Sequence, residues 1–257
     1  MIYLTECGGF SRPKRENGVN QDSWLPPRRF GNGYIMAVAD GVGSYVGSEV
    51  ASSVVVDFIA GQEFSENIDV NSMMSGAWKA VINAGEKNPE IINAATTLTF
   101  CYISSRGIQI GHVGDCRAYL FEKGRLVQLT VDHTQHQRLF DEGIYTKKEL
   151  KSHAGESTLT SAISRNVEPT YQEILIPLSE VEMVDGKIRI FIMSDGAHKF
   201  WSIRPRLAVS SLISPTRFAS SIKNRINRIG PNDDNTLIGA EFSLRPNSSQ
   251  KELFQSY

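Results

Sequence analysis

The chain has 257 residues, 40% hydrophobic and 21% charged, enough to bury one sizeable core. Its formal charge of -1 gives no overall attraction to nucleic acid or to an anionic membrane, which excludes both as expected partners. Three cysteines, Cys7, Cys101 and Cys116, are odd in number and never spaced Cys-x-x-Cys, and with Cys101 and Cys116 in strand-like runs, buried reduced thiols in a reducing cytoplasm are expected.

Residues 1–6 lack a basic stretch leading into a long apolar run, so neither a secretory signal nor a membrane span is expected. The apolar run Ile35-Met36-Ala37-Val38 reads as a strand that ends at Ala39-Asp40-Gly41. Residues 47–61 read as a helix, because Val50, Val54 and Phe58 recur every four residues. Residues 72–85 read the same way through Met73, Ala77, Val81 and Ala84. Four short strands follow, over 97–103, 108–113, 117–122 and 126–129. The hairpin-like links Ser104-Ser105-Arg106-Gly107 and Lys123-Gly124 predict an antiparallel meander. Residues 135–153 are polar and predict two short helices around Gly143. Ile190-Phe191-Ile192-Met193 is a further strand, ending at Ser194-Asp195-Gly196. The stretch 199–206 reads either as a basic partner surface or as core aromatics with charged neighbours. Residues 215–229 form a helix stopped by Gly230-Pro231, and Asp233-Asp234-Asn235 comes next. The tail, 246–257, is polar and expected to be loose. Neither a repeat nor a linker divides the chain, so one domain of the α+β class is expected, with sheets inside and helices outside.

Four aspartates, Asp40, Asp115, Asp195 and Asp234, thus stand at strand ends in turn-forming sequence. Any one of them alone is most simply a turn residue. If the strands lie side by side, however, the carboxylates gather at one edge, and several like charges at a partly dry site call for cations. An all-oxygen site favours magnesium, manganese or calcium over zinc. His112 shares its strand parity with Ile108 and Ile110 and reads as a core histidine; His133 reads as structural.

The segments Asn20-Gln21-Asp22, Val38-Ala39-Asp40-Gly41-Val42-Gly43, Gly47-Ser48-Glu49-Val50-Ala51-Ser52, Ala95-Thr96-Thr97, Val113-Gly114-Asp115-Cys116-Arg117, Leu129-Thr130-Val131-Asp132-His133-Thr134, Met193-Ser194-Asp195-Gly196 and Asp233-Asp234-Asn235-Thr236 come in the order of known motifs. Together they resemble the bacterial branch of the metal-dependent protein phosphatase 2C family. The resemblance implies a four-layer α-β-β-α sandwich over residues 1–245, two central antiparallel sheets flanked by helices, with a flap subdomain at about 135–157. It implies a serine/threonine phosphoprotein phosphatase that uses two manganese or magnesium ions, with a third, weaker site, and opposes a serine/threonine kinase. Residue by residue, Asp40 would bridge two ions, the Gly41 carbonyl would bind one, and Asp195 and Asp234 the other. Asp115 with Asp195 would hold the third. A water bridging the paired ions would attack phosphorus directly. Where the family has Glu this chain has Gln21, expected to act through a bound water, with Asp22 behind it. The family's phosphate-clamping arginine is matched by Arg15 if Gly18-Val19 is a small insertion; a solvated Arg15 is the plain alternative. Val42 stands where eukaryotic relatives carry a histidine.

Two other readings compete. Gly41-Val42-Gly43-Ser44-Tyr45-Val46-Gly47 follows a strand and opens a helix as a dinucleotide loop would, but Asp40 would repel a pyrophosphate. A catalytically degenerate phosphatase that only binds phosphoproteins fits Gln21 and the displaced Arg15. Retention of all four aspartates opposes it.

Overall fold

The computed structural model describes residues 1–63 and 68–244; the expectation for the tail lies outside them. Two five-stranded antiparallel sheets form the centre. One runs in the order β1 (Ile2–Arg12), β12 (Asn235–Leu244), β11 (Lys187–Met193), β7 (Arg117–Glu122), β8 (Arg125–Gln128). The other runs β10 (Gln172–Pro177), β6 (Gly107–Val113), β5 (Leu98–Ser104), β3 (Gly33–Asp40), β2 (Asp22–Phe30). A short ladder joins β4 (Ala95–Thr96) to β9 (Ile163–Ser164).

Strand parity explains the layering, since alternate side chains leave opposite faces of a strand. In β3, Met36 and Val38 face inward and meet Ala118, Leu120, Ile190 and Ile192 of the other sheet. Ile35, Ala37 and Ala39 face outward and pack beneath α1 (Ser48–Gly61) and α2 (Val70–Lys87). In β11, Phe191 and Met193 face the opposite exterior. They meet α5 (Asp195–Ile203), α6 (Val209–Leu212) and α7 (Pro215–Ile229) through Phe200, Leu212, Phe218 and Ile222. The result is helix, sheet, sheet, helix, as expected. Each fully buried aliphatic or aromatic side chain contributes about 1.5–3 kcal/mol, so the three clusters together hold the layers in place.

The local punctuation acts as the sequence suggests. Pro215 opens α7 and Gly230, with φ 96, ends it. Lys123 and Gly124 both have positive φ, the conformation that a two-residue hairpin link requires. Helix α2 begins two residues earlier than its apolar pattern, because the Asp69 side chain caps Asn71 N–H. Residues 135–153 hold α3 (Gln135–Asp141) and α4 (Lys147–Leu150), either side of Gly143.

The predicted meander is not what forms. Strands β5 and β6 pair with each other, and so do β7 and β8, but β6 and β7 belong to different sheets. Gly114-Asp115-Cys116 carries the chain from one sheet to the other. Both expected hairpin links form, but the meander requires this third short connection to stay within one sheet, and it crosses between layers instead.

Candidate active site

Antiparallel pairing brings the aspartates to one end. Asp22 opens β2 and pairs in register with Asp40, the last residue of β3. Strand β3 pairs with β5, and β5 with β6, so the start of β5 and the end of β6 reach the same end, followed at once by Asp115. In the other sheet β11 ends at Met193, opposite Leu237 near the start of β12, which sets Asp195 beside Asp234. Asp40, Asp115, Asp195, Asp233 and Asp234 line one cavity of about 260 Å³ with Gln21, Gly41, Thr97 and Ser157.

Backbone contacts fix the frame. Thr97 Oγ1 accepts from Asp40 N–H at 2.9 Å, and Thr96 Oγ1 donates to the Asp40 carbonyl at 3.0 Å. A Cβ on Gly41 would lie 2.7 Å from the carbonyl oxygens of Gln21 and Ser48, so glycine is required here by the start of α1. At Gly196 a Cβ would collide with the Asp234 carbonyl. That close approach lets the first turn of α5 sit against the Asp233-Asp234 turn.

The carboxylates crowd one another. Burial first, and then the charges of Asp22, Asp195 and Asp115, hold the Asp40 carboxyl well above its ordinary range. Asp22 is raised by burial and by Asp195 and Asp234, against the bond it receives from Ser194 Oγ at 2.8 Å. Asp115 is pushed up to about 7, again by burial and then by Asp195. Asp234 accepts from the backbone N–H groups of Lys14, at 2.6 Å, and Gln21, at 2.7 Å. Asp195 Oδ2 accepts from Lys199 Nζ at 2.6 Å. Burial alone would lower the Lys199 ammonium, but the carboxylates of Asp195 and Asp115 outweigh it and raise its pKa.

Of the residues expected at the site, Asp40, Gly41, Asp115, Asp195 and Asp234 come together. Gln21 lines the same cavity, its Nε2 donating to Ser48 Oγ at 2.7 Å. Asp22 lies behind it, lining a separate shallow cavity, with Oδ1 buried and unpartnered. Arg15 is exposed on a turn closed by Gly18 N–H on the Arg15 carbonyl at 2.8 Å, and does not line the cavity. Arg12 instead donates to Asn227 Oδ1 at 2.9 Å. The histidines behave as core residues. His112 is buried between Thr99 Oγ1 and the Val131 carbonyl, its pKa pushed down to about 3 by burial, and His133 Nδ1 accepts from Gly114 N–H at 3.2 Å. In the stretch 199–206, Phe200 and Trp201 join the core. Three members escaped the sequence reading: Asp233, Ser194 and Lys199. Lys199 had a legible signal, since it follows Asp195 by four residues on a helix.

The donor set suits hard cations: carboxylates and a backbone carbonyl, with His198 Nε2 on the Asp115 carbonyl and Cys116 Sγ against Thr97 Oγ1. The buried, unpartnered Asp22 Oδ1 and the upward-shifted carboxyls mark a site short of positive charge. Among the described residues, no three acidic, histidine or cysteine side chains already surround a common point closely enough to hold an ion. Asp195 and Asp234 are turned onto Lys199, Lys14 and Gln21, and an ion must share or replace those donors.

Two larger cavities flank this one. A cavity of about 430 Å³ lies against the flap, lined by Arg117, His136, Phe140, Lys147, Lys151 and Lys199 among others. Another, of about 480 Å³, runs along residues 157–168 and past Tyr45.

A family model described as protein phosphatase 2C matches residues 12–241. The serine/threonine protein phosphatase PstP of Mycobacterium tuberculosis is 34% identical over 142 residues, 53% of this chain. The matched stretch spans only 28% of that relative's length. The serine/threonine phosphatase stp of Listeria welshimeri is 22% identical over 258 residues, covering 94% of this chain and 95% of that protein. The crystal structure of Mycobacterium tuberculosis PstP superposes with a TM-score of 0.74 at 25% identity, covering 95% of this chain and 99% of that one. A structure of the PstP catalytic domain in complex with two manganese ions superposes at 0.70 and 23% identity, covering 95% of this chain and 100% of that one.

Proposed function

The chain belongs to the protein phosphatase 2C family, and from that membership we propose that it is a serine/threonine phosphoprotein phosphatase that depends on manganese or magnesium. The observation that carries the reading is the gathering of Asp40, Asp115, Asp195 and Asp234 from both sheets around one cavity. Residues 1–245 act as one catalytic domain, with the flap at about 135–157 forming a wall beside the site. The enzyme works in the cytoplasm and opposes a serine/threonine kinase. Among the described residues, no helix is long and apolar enough to cross a membrane.

Asp40, the Gly41 carbonyl, Asp195 and Asp234 would hold the ions, and Asp115 stands beside Asp195. Bound there, such ions supply a nucleophilic hydroxide at neutral pH and offset the charge of the phosphoryl group. The protein's own part is placement. Thr96 and Thr97 lock the Asp40 backbone, Gly196 lets α5 carry Asp195 close to Asp234, and Ser194 holds Asp22 beneath Asp40. Lys14 N–H on Asp234 holds Arg15 one residue from the rim, where it is the candidate to clamp a phosphoryl oxygen.

The test is release of phosphate from an aryl phosphate and from a phosphoserine peptide. Manganese should stimulate both, and Asp40→Asn should abolish the stimulation. A folded chain that releases no phosphate from either at any manganese concentration would turn the reading toward a phosphoprotein-binding module.

A further inference from the structure

Resting on the metal-dependent reading, we propose that Lys199 is a resident cation of the carboxylate cluster, so that the site is complete with two metal ions and one ammonium. The place between Asp195 and Asp115 is then filled by the protein and takes no third ion.

The geometry is specific. Lys199 Nζ lies 2.6 Å from Asp195 Oδ2 and 3.2 Å from Ser157 Oγ. The pair is built by the helix itself, since residues four apart on α5 share a face. Only 26% of the Lys199 side chain and 10% of the Asp195 side chain is exposed, so water weakens this pair far less than one on an open surface. Asp115 and Glu156 also feel the ammonium charge. Lys199 lines the cavity beside the flap together with Asp115, while Asp195 and Ser157 line the carboxylate cavity, so the ammonium stands in the wall between the two.

Charge balance leads to the same place. Six carboxylates, Asp22, Asp40, Asp115, Asp195, Asp233 and Asp234, influence one another here. Buried charges at this density persist only with opposite charge beside them. The two ions held by Asp40, Asp195 and Asp234 would leave Asp115 without one, and Lys199 supplies a charge there that cannot diffuse away. An incoming ion at that position would have to break a short charge-assisted hydrogen bond and push one cation against another.

Manganese uptake by the full chain, freed of metal with a chelator, tests this by equilibrium dialysis with metal analysis. Wild type should saturate at two ions, Lys199→Met at three, and Lys199→Arg at two again. Lys199→Gln, which keeps a hydrogen-bond donor but no charge, should also take three and carries the test if Lys199→Met does not fold. Without metal, both neutral variants should melt below wild type, with Lys199→Arg close to it. Three ions in wild type, or equal counts in wild type and the neutral variants, overturns the inference and leaves the phosphatase reading standing. A wild-type chain that binds no manganese removes both.

Discussion

Asp40 is crowded by other carboxylates: Asp22 faces it across the β2–β3 pair, and Asp195, Asp115 and Asp233 also act on it. Replacing it with Asn should therefore raise the melting temperature without metal and shrink the rise that manganese produces. A loss of equal size with and without manganese would make Asp40 a plain turn residue. The titration of this group has a definite sign. Folded carboxyls shifted upward, as in Asp22, Asp40 and Asp115, are more easily protonated than unfolded ones, so the stability they contribute is present at low pH and is lost as pH rises through the folded values. His112, His133 and His198 are shifted downward and act oppositely, but only below about 6.5, the ordinary histidine value. Metal-free protein should thus lose stability between pH 6.5 and 8, and Asp40→Asn should lose less. Calorimetry in chelator across that interval decides it; a flat profile in wild type would mean the carboxyls are not shifted. At Asp195, exchange for Asn should leave the fold intact and lower turnover by about a hundredfold or more, because a neutral amide is a poor partner for two cations. Near wild-type turnover at saturating manganese would remove Asp195 from the site. Arg15→Ala should raise KM about tenfold, the scale of a lost guanidinium–phosphate contact, while Arg12→Ala, whose partner is Asn227, should change it little. Equal small effects would return Arg15 to solvent.

At the scale of elements, the segment that leads into the flap is tied to the sheet by Arg117 and Asp132. Arg117 Nη2 donates to Asp132 Oδ2 at 2.6 Å and Nε to Oδ1 at 2.8 Å. Arg117→Lys cannot reproduce this forked contact, and the loss should be on the order of 1.5–3 kcal/mol. Denaturant midpoints measure it, and no change beyond about 0.5 kcal/mol would show that the tie is ornamental. Gly196→Ala should be worse, since its Cβ has no room against the Asp234 carbonyl. The elements that the sequence made legible are those with their own punctuation: α7 between Pro215 and Gly230, and the Lys123-Gly124 hairpin. Strand order was less so, because a connection such as Gly114-Asp115-Cys116 has the same length whether it turns within a sheet or crosses between two. The site was legible as motif aspartates. The i, i+4 relation of Lys199 to Asp195 counts only once 195–203 is taken as a helix, and the nine-residue α5 was not among the elements expected from the sequence.

For the whole molecule, the proposed metal ligands come from both sheets, Asp40 from one and Asp195 and Asp234 from the other, with Asp115 at the crossing. Ion binding should therefore stabilise the global fold rather than one loop. At one hundred times the dissociation constant a single ion contributes about 2.7 kcal/mol, roughly 5–10 °C in melting temperature for a domain of this size. Scanning calorimetry with and without manganese should show one transition that moves as a unit. Two separating transitions would mean that the sheets unfold independently.

The position of β12 sets the order in which this fold can come into being. It is the last described strand in the chain, yet it lies between β1 and β11 and pairs with both along most of their length. While the chain is being made, β1 waits for a neighbour more than two hundred residues away. Contacts of such long range form slowly and late. Asp234 and the turn that abuts Gly196 arrive with the same strand. A nascent chain can therefore assemble the β10-β6-β5-β3-β2 sheet and its helices well before it owns a complete set of carboxylates, and the proposed site is finished only when β12 is threaded between β1 and β11.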